Sequence, residues 1–552
     1  MTAGIRTAIR RDESPHHAEG GRGMVVSVSA PASDVGVTIL QQGGNAVDAA
    51  IATAFALAVT YPLAGNLGGG GFMVVHPGRS GGGPAVFDYR ETAPAAAWPT
   101  MYTREESQFN HRAVATPGTI RGLEMAHRRF GSLSWSQLLE PAIGLAHDGF
   151  VVDASLARST DETLTAAPEH AEFQRVYGKS GGGEWQAGDR MVLPDLARTL
   201  HLLATLGPDA FYTGPIAERL VAEMQSGQGL ITADDLATYR AVERVPLTTR
   251  YRGLYDIYVP PLPSAGGVCL VEELNMLANY DLTGAARWSP ETVHLMAEVM
   301  RRAQHDRALY PGDPAFVQNP DRLTSPAYAR ERAATIDLHR ATSSAALAAS
   351  IPPADESPSI THFGVIDQNG MAVANTYTLE RRWGSRVVVQ SMGFLLNNNM
   401  RAFNLFPGET DTKGNVGTAA NTIAPRKRPI SSMAPTIVAR DGRVLLVTGS
   451  TGSRAIPNTI LNILASVLDF DMPVQEAVHS PRFSQEWFPD HIRMESPERL
   501  ADTVRVLRRM GHTVVAPSPL PFQGDAHTIW VSPDGMYVGA ADQRISGKAS
   551  GY

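Results

Sequence analysis

Two stretches of this chain place hydroxyl groups where a sheet could use them for chemistry. The first is ESPSITHFGVIDQNGMAVANTYTL, residues 356–379. Asn369-Gly370 reads as a two-residue hairpin turn, since both central positions of a type I′ turn favour φ > 0. The flanks, 361–367 and 371–379, are rich in β-branched and aromatic residues, as strands are. Pairing outward from that turn sets Thr361 opposite Thr378, at the mouth of a sheet and just after a polar, Pro-containing loop. This is the layout of a chain that cuts itself to expose an N-terminal Thr nucleophile. The second stretch turns at Asp441-Gly442. Pairing outward from there brings Ser431-Ser432 toward the Gly-rich turn Gly449–Gly452, whose backbone N–H groups suit an oxyanion or a docked carbonyl.

Other chemistry is poorly represented. NLGGGGFMVV (66–75) lacks the Gly-Lys-Ser/Thr and the strand–turn–helix order of a phosphate loop. His16-His17 lies in a polar N-terminal tail and makes a poor ligand pair. No metal site and no cofactor motif is expected. The single cysteine, Cys269, rules out an internal disulfide and reads as a small buried side chain in GGVCLVEELNML. Asp306-Arg307 reads as a buried or half-buried ion pair, an element of the fold.

The elements that must position these groups follow from composition and pattern. The 552 residues are 43% hydrophobic and 19% charged, with a formal net charge of -7. Such a chain is globular and exceeds one ordinary core. No dense Lys/Arg run appears, so nucleic acid is not an expected partner. Ala46–Val59 is apolar on nearly every side, the mark of a buried helix, and too short to span a bilayer. The N-terminus lacks the apolar run of a signal peptide, which points to a cytoplasmic protein. Residues 1–22 read as a disordered tail and 23–339 as a helix-rich region, with amphipathic stretches at 190–206, 215–226 and 290–309. Residues 340–359, rich in Ala, Ser and Pro, read as a flexible linker. Residues 360–552 read as hairpin-rich, with a third turn at Pro533-Asp534-Gly535. The pattern as a whole implies layered α/β packing.

Many short segments resemble the γ-glutamyltranspeptidase family, and they occur in that family's order. Among them are DYRETAP (88–94), ATPGT (115–119), GPDAFYTG (207–214), LPSAGG (262–267), DRALYPGDPAF (306–316), LLNNNM (395–400), KRPISSMAPT (427–436) and VTGSTGSR (447–454). The likeness runs from about residue 24 to the end. It implies the four-layer αββα sandwich of N-terminal-nucleophile hydrolases, and autocleavage before a Thr whose freed α-amine serves as its base. By this resemblance Arg90 clamps a substrate carboxylate, Thr378 supports the nucleophile, and Glu380, Asn399, Ser431 and Ser432 contact the donor. Gly452 belongs to the oxyanion turn.

Three positions depart from the family. Its small subunit opens roughly Thr-Thr-His-aromatic-Ser-Val-Val-Asp, which puts Ile360 at the nucleophile, flanked by the hydroxyls of Ser359 and Thr361. Ala402 replaces an Asp that would hold the donor's ammonium, a charged hydrogen bond worth ~1.5–3 kcal/mol. Gly452-Ser453 replaces Gly-Gly in a turn one residue shorter. Two readings stay open. In one, an enzyme that keeps Arg90, Thr378 and the serine pair performs redirected or impaired amide hydrolysis or acyl transfer on a small carboxylate-bearing or amino-acid-derived substrate. In the other, an uncleaved, non-catalytic homologue binds a ligand or a partner protein. A conventional γ-glutamyl transferase would need a shifted nucleophile such as Thr361 or Ser359. Alternation along the strand turns Thr361 to the face opposite residue 360.

Overall fold

A computed structural model describes residues 15–347, 359–406, 419–518 and 522–552. The 348–358 part of the expected linker lies outside them; the part before it includes a short helix, Ser344–Leu347.

The long alternating runs form two seven-stranded antiparallel sheets. In spatial order the first holds Lys548–Gly551, Gly23–Ser27, Ser359–Asp367, Ala372–Glu380, Gly70–His76, Ala85–Asp88 and Val242–Arg244. The second holds His17–Gly20, Tyr537–Ala541, His527–Val531, Arg443–Thr448, Thr436–Arg440, Tyr255–Val259 and Leu247–Tyr251. His17–Gly20 thus forms an edge strand, paired with Tyr537–Ala541, where the sequence suggested only a disordered tail.

Side-chain alternation sorts the apolar residues into three layers. Met24, Val26, Val74, Ile366, Ala374, Ile437, Val447 and Ile529 fill the space between the sheets. Phe363, Val365, Val373 and Tyr377 point the other way, onto a helical layer built around the helix Ala46–Thr60. Every residue of that helix is buried, and Asn45 and Asp48 close its N-terminus as a capping box. The second sheet packs outward on helices Ala265–Leu277, Pro290–Leu309 and Ala455–Leu468. The result is the expected αββα sandwich.

The hairpin register differs from expectation by one residue. Ile360 pairs with Thr378, and Thr361 pairs with Tyr377. The cause is the turn. Gly370 has φ 74, but Asn369 is not at positive φ, so the connection is a three-residue loop closed by Asp367 and Met371 rather than a two-residue type I′ turn. The Asp367 carboxylate fastens it by accepting from the Asn369 and Met371 N–H groups at 2.8 and 3.1 Å. A bulge between Ser359 and Ile360 then offsets the strand end. The turn expected at Asp441-Gly442 is present, with φ 50 and 73 at its two central residues.

Candidate active site

The site is assembled where both hairpins end. On the first sheet, Ile360, His362, Thr376 and Thr378 share the face toward the second sheet. His362 is fully buried, and its Nδ1 meets Thr376 Oγ1 at 2.9 Å. Burial holds its imidazole well below the usual histidine range, with His527 nearby adding to the effect. His362 is therefore a neutral, packed side chain.

Thr361 is not brought to this face. It is 1% exposed, on the side of Tyr377 and the helical layer, and its Oγ1 finds no partner among the described residues. The bulge sits before Ile360 and leaves the orientation of Thr361 unchanged. The residue facing Thr378 is Ile360, half-buried against the second helical layer. Thr378 Oγ1 accepts from the Glu380 N–H at 2.7 Å, which bends the chain at Glu380 (φ 80) out of the strand.

Arg90 leaves the end of the Ala85–Asp88 strand and is 1% exposed. Its Nη1 donates to Glu91 Oε2 at 3.0 Å and to Asn399 Oδ1 at 2.8 Å. Nε and Nη2 donate to the carbonyls of Pro429 and Ile430, each at 3.3 Å. A guanidinium has five N–H groups, so one remains for a ligand. Asn399 Nδ2 donates back to Glu91 Oε1 at 2.5 Å. Burial pushes the Glu91 carboxyl up to about 7 against the pull of Arg90, and the charge of Glu380 adds to the rise. Arg90, Asn399 and Glu380 are thus neighbours, as expected. Glu91, which joins them, was missed, although it stands inside the DYRETAP motif.

Ser431 and Ser432 precede the Thr436–Arg440 strand. Ser431 bridges to Ser264, its carbonyl accepts from the Gly266 N–H at 2.9 Å, and its Oγ accepts from the Met433 N–H at 3.1 Å. Ser432 Oγ accepts from Arg307 Nη2. Both hydroxyls have an acceptor site taken by a protein donor, which leaves their hydrogens to donate. This overturns the reading of Asp306-Arg307 as a pair. Asp306 instead binds His305 Nδ1 at 2.8 Å, the Tyr328 hydroxyl at 2.7 Å and Arg332 at 3.2 Å. Successive helix residues point in different directions, so the two part company.

The Gly449–Gly452 turn leaves the strand partner of that same sheet end, since Thr436 pairs with Thr448. It is tied to Asp525: Thr451 N–H donates to the Asp525 carbonyl at 2.9 Å, and Thr451 Oγ1 to Asp525 Oδ2 at 2.7 Å. The Gly452 carbonyl accepts from Ala455 N–H at 3.1 Å, at the start of the helix Ala455–Leu468, while no described group accepts from the Gly452 N–H. Among the described residues, one group has the proximity of metal ligands: His294, Glu298 and His512, all buried. Both Glu298 oxygens already accept from Arg301 and Arg302, a pair of cations that opposes a third.

A hairpin with Thr378 across from residue 360, a buried arginine at a serine pair and a glycine turn at the same sheet end agree with one family. The family model described as Gamma-glutamyltranspeptidase matches residues 32–552. The chain belongs to the gamma-glutamyltranspeptidase family. It is 41% identical to the glutathione hydrolase proenzyme of Escherichia coli (strain K12), over 97% of this chain and 93% of that protein. It is 37% identical to the acylase ACY 1 proenzyme of Pseudomonas sp. (strain SE83), over 96% and 93%. Among solved structures, a cephalosporin acylase from Bacillus halodurans superposes with a TM-score of 0.86 at 23% identity, over 100% of this chain and 99% of that one, which shows the shared fold. The gamma-glutamyltranspeptidase of Helicobacter pylori matches with a TM-score of 0.54 at 38% identity, over 56% and 90%. In this chain the residue that faces Thr378 across the hairpin is Ile360.

Proposed function

We propose that this protein is a gamma-glutamyltranspeptidase-family member whose amide hydrolysis or acyl transfer is redirected, acting on a small substrate with a carboxylate on its acyl arm. The observation that carries the reading is Ile360 opposite Thr378. An isoleucine side chain has no lone pair, so residue 360 forms no acyl-enzyme. The donors around it are intact: one N–H of Arg90, the hydroxyl hydrogens of Ser431 and Ser432, and the N–H of Gly452. The first three suit a carboxylate, and the last suits a carbonyl oxygen gaining charge. Ala402 offers no carboxylate to a substrate ammonium, which favours an acyl arm without an α-amine. In a hydrolysis that skips the enzyme nucleophile, water adds to the carbonyl carbon, the C–N bond breaks and the proton passes to the departing amine.

The same observation favours a second reading, an uncleaved homologue that holds such a carboxylate without turning it over. A shifted nucleophile at Thr361 is disfavoured by the buried face on which that hydroxyl lies. Intact mass under denaturing conditions tests both favoured readings against ordinary family chemistry. One species near 59.2 kDa is expected. Two fragments meeting near residues 359–361 would show a working nucleophile and overturn the proposal. Release of amine from a panel of N-acyl amides with terminal carboxylates then separates the enzyme from the binding protein.

A further inference from the structure

Two guanidinium groups grip the segment Pro429–Ser432. Arg90 holds the carbonyls of Pro429 and Ile430, and Arg307 holds the hydroxyl of Ser432. Arg307 comes from a different element, the last turn of the helix Pro290–Leu309. That helix runs beside Ala265–Leu277, whose first turn binds the neighbouring Ser431 carbonyl through Gly266 N–H. The family resemblance gave Arg307 no role, and the sequence reading spent it on Asp306.

We infer that Arg307 is a positioning residue of the carboxylate pocket, acting through Ser432. An N–H of Arg307 occupies an acceptor site of Ser432 Oγ, so the hydroxyl hydrogen is turned away from the guanidinium and held as a donor. A hydroxyl free to rotate would lose that orientation on each binding event, whereas this one is preset. The guanidinium also adds a positive charge at the Ser432 end of the segment, as Arg90 does at the Pro429–Ile430 end. An anion bound here is therefore met by one charge through Ser432 and by another on Arg90. The occupant this arrangement fits is a planar carboxylate, with one oxygen toward Arg90 and one toward Ser432. A neutral amide at the same place would gain from neither charge.

The inference rests on the pocket assigned under the proposed function, and the experiment separates the two. Succinate, a short dicarboxylate, is titrated calorimetrically into the intact chain and into R307M, R307K, S432A, R90M and the double variant R307M/S432A. Charged hydrogen bonds set the expected scale, so R307M is expected to weaken succinate about tenfold. R307K recovers part of the loss, because an ammonium keeps the charge but not the planar reach. In the S432A background R307M adds little further loss, since the two act as one unit. Thermal melting of each variant identifies any that fails to fold, and R307K then carries the comparison. Equal losses from R307M with and without Ser432 would overturn the role, as would tight binding by R307M. If R90M and S432A lose succinate while R307M does not, the pocket stands and Arg307 is merely structural. If the unaltered chain binds no succinate, the pocket reading falls and this role falls with it.

Discussion

Glu91 divides its carboxylate between Arg90 and Asn399, fully buried and within the field of Glu380. Burial raises its titration to about 7, so its charge changes in the physiological range. Below that pH the carboxyl is neutral and Arg90 presents an uncompensated charge to an incoming anion. Above it the carboxylate neutralises Arg90 and repels the ligand. Carboxylate affinity is therefore expected to fall as pH rises through about 7, by up to about tenfold for a charged contact. In E91Q the dependence should flatten. Succinate dissociation constants between about pH 5.5 and 8.5 check this, and a profile that E91Q leaves unchanged would assign the titration elsewhere. Arg90, Asn399 and the serine pair were legible in the sequence because each sits in a recognisable local string. Glu91 and Arg307 were not read as site residues. Their meaning lies in partners 308 and 125 positions away, and no local pattern carries those contacts.

The strand register decides what residue 360 faces, and it was misread by one position. The string Asn-Gly is the strongest short hairpin signal, yet the Asp367 side chain captures two backbone N–H groups and stabilises a longer loop instead. Alternation survived that error. The opposite orientations of residues 360 and 361 depend only on the pleat, which both registers share. The corrected pairing makes a sharper prediction than the original. Ile360→Thr would put a hydroxyl directly across from Thr378, on the face of the oxyanion turn, and is expected to start self-cleavage at the Ser359–Ile360 bond. Fragment masses and the new N-terminal residue check it. An intact I360T chain would mean that the shortened Gly449–Gly452 turn, rather than residue 360, is the block. That turn also limits what the element tolerates. A Cβ on Gly449 would stand 2.3 Å from His362 Nδ1, so G449A must displace a buried ring. Overpacking of this kind costs about 1–3 kcal/mol, measurable as a lower urea midpoint. An unchanged midpoint would show that the two sheets part easily here.

Across the whole molecule, buried ionisable groups make stability depend on pH in opposite directions. Most of the architecture was readable because it rests on repeated local choices: alternation in the strands, the all-apolar helix at Ala46, turns at Asp441-Gly442 and Pro533–Gly535. The buried polar joints between layers were not, since each is a pair of residues from distant elements. One such joint links the helix Pro290–Leu309 to the turn that follows the helix Ala501–Arg509. His294 Nδ1 and His512 Nε2 meet at 2.7 Å, and His294 Nε2 is held by the Asp337 carbonyl at 2.8 Å. Burial, with His294 and Arg301 beside it, lowers His512 to about 4, although Glu298 and Asp490 pull the other way. The unfolded chain takes this proton near its ordinary 6.5, whereas the native state refuses it until about 4. Stability present above 6.5 is therefore lost as pH falls through that window, on the order of 3 kcal/mol. Glu91 has the reverse sign: its raised value makes its contribution full below 4.5 and lost as pH rises through about 7. H512N is accordingly expected to lower the midpoint at neutral pH, where it breaks a buried hydrogen bond, yet to flatten the decline between pH 6.5 and 4. Urea midpoints of both chains across that range check the difference. Parallel acid limbs would place the acid sensitivity in other groups, such as Asp542, where burial is overcome by Arg482 and Arg544 and the carboxyl titrates below its ordinary range.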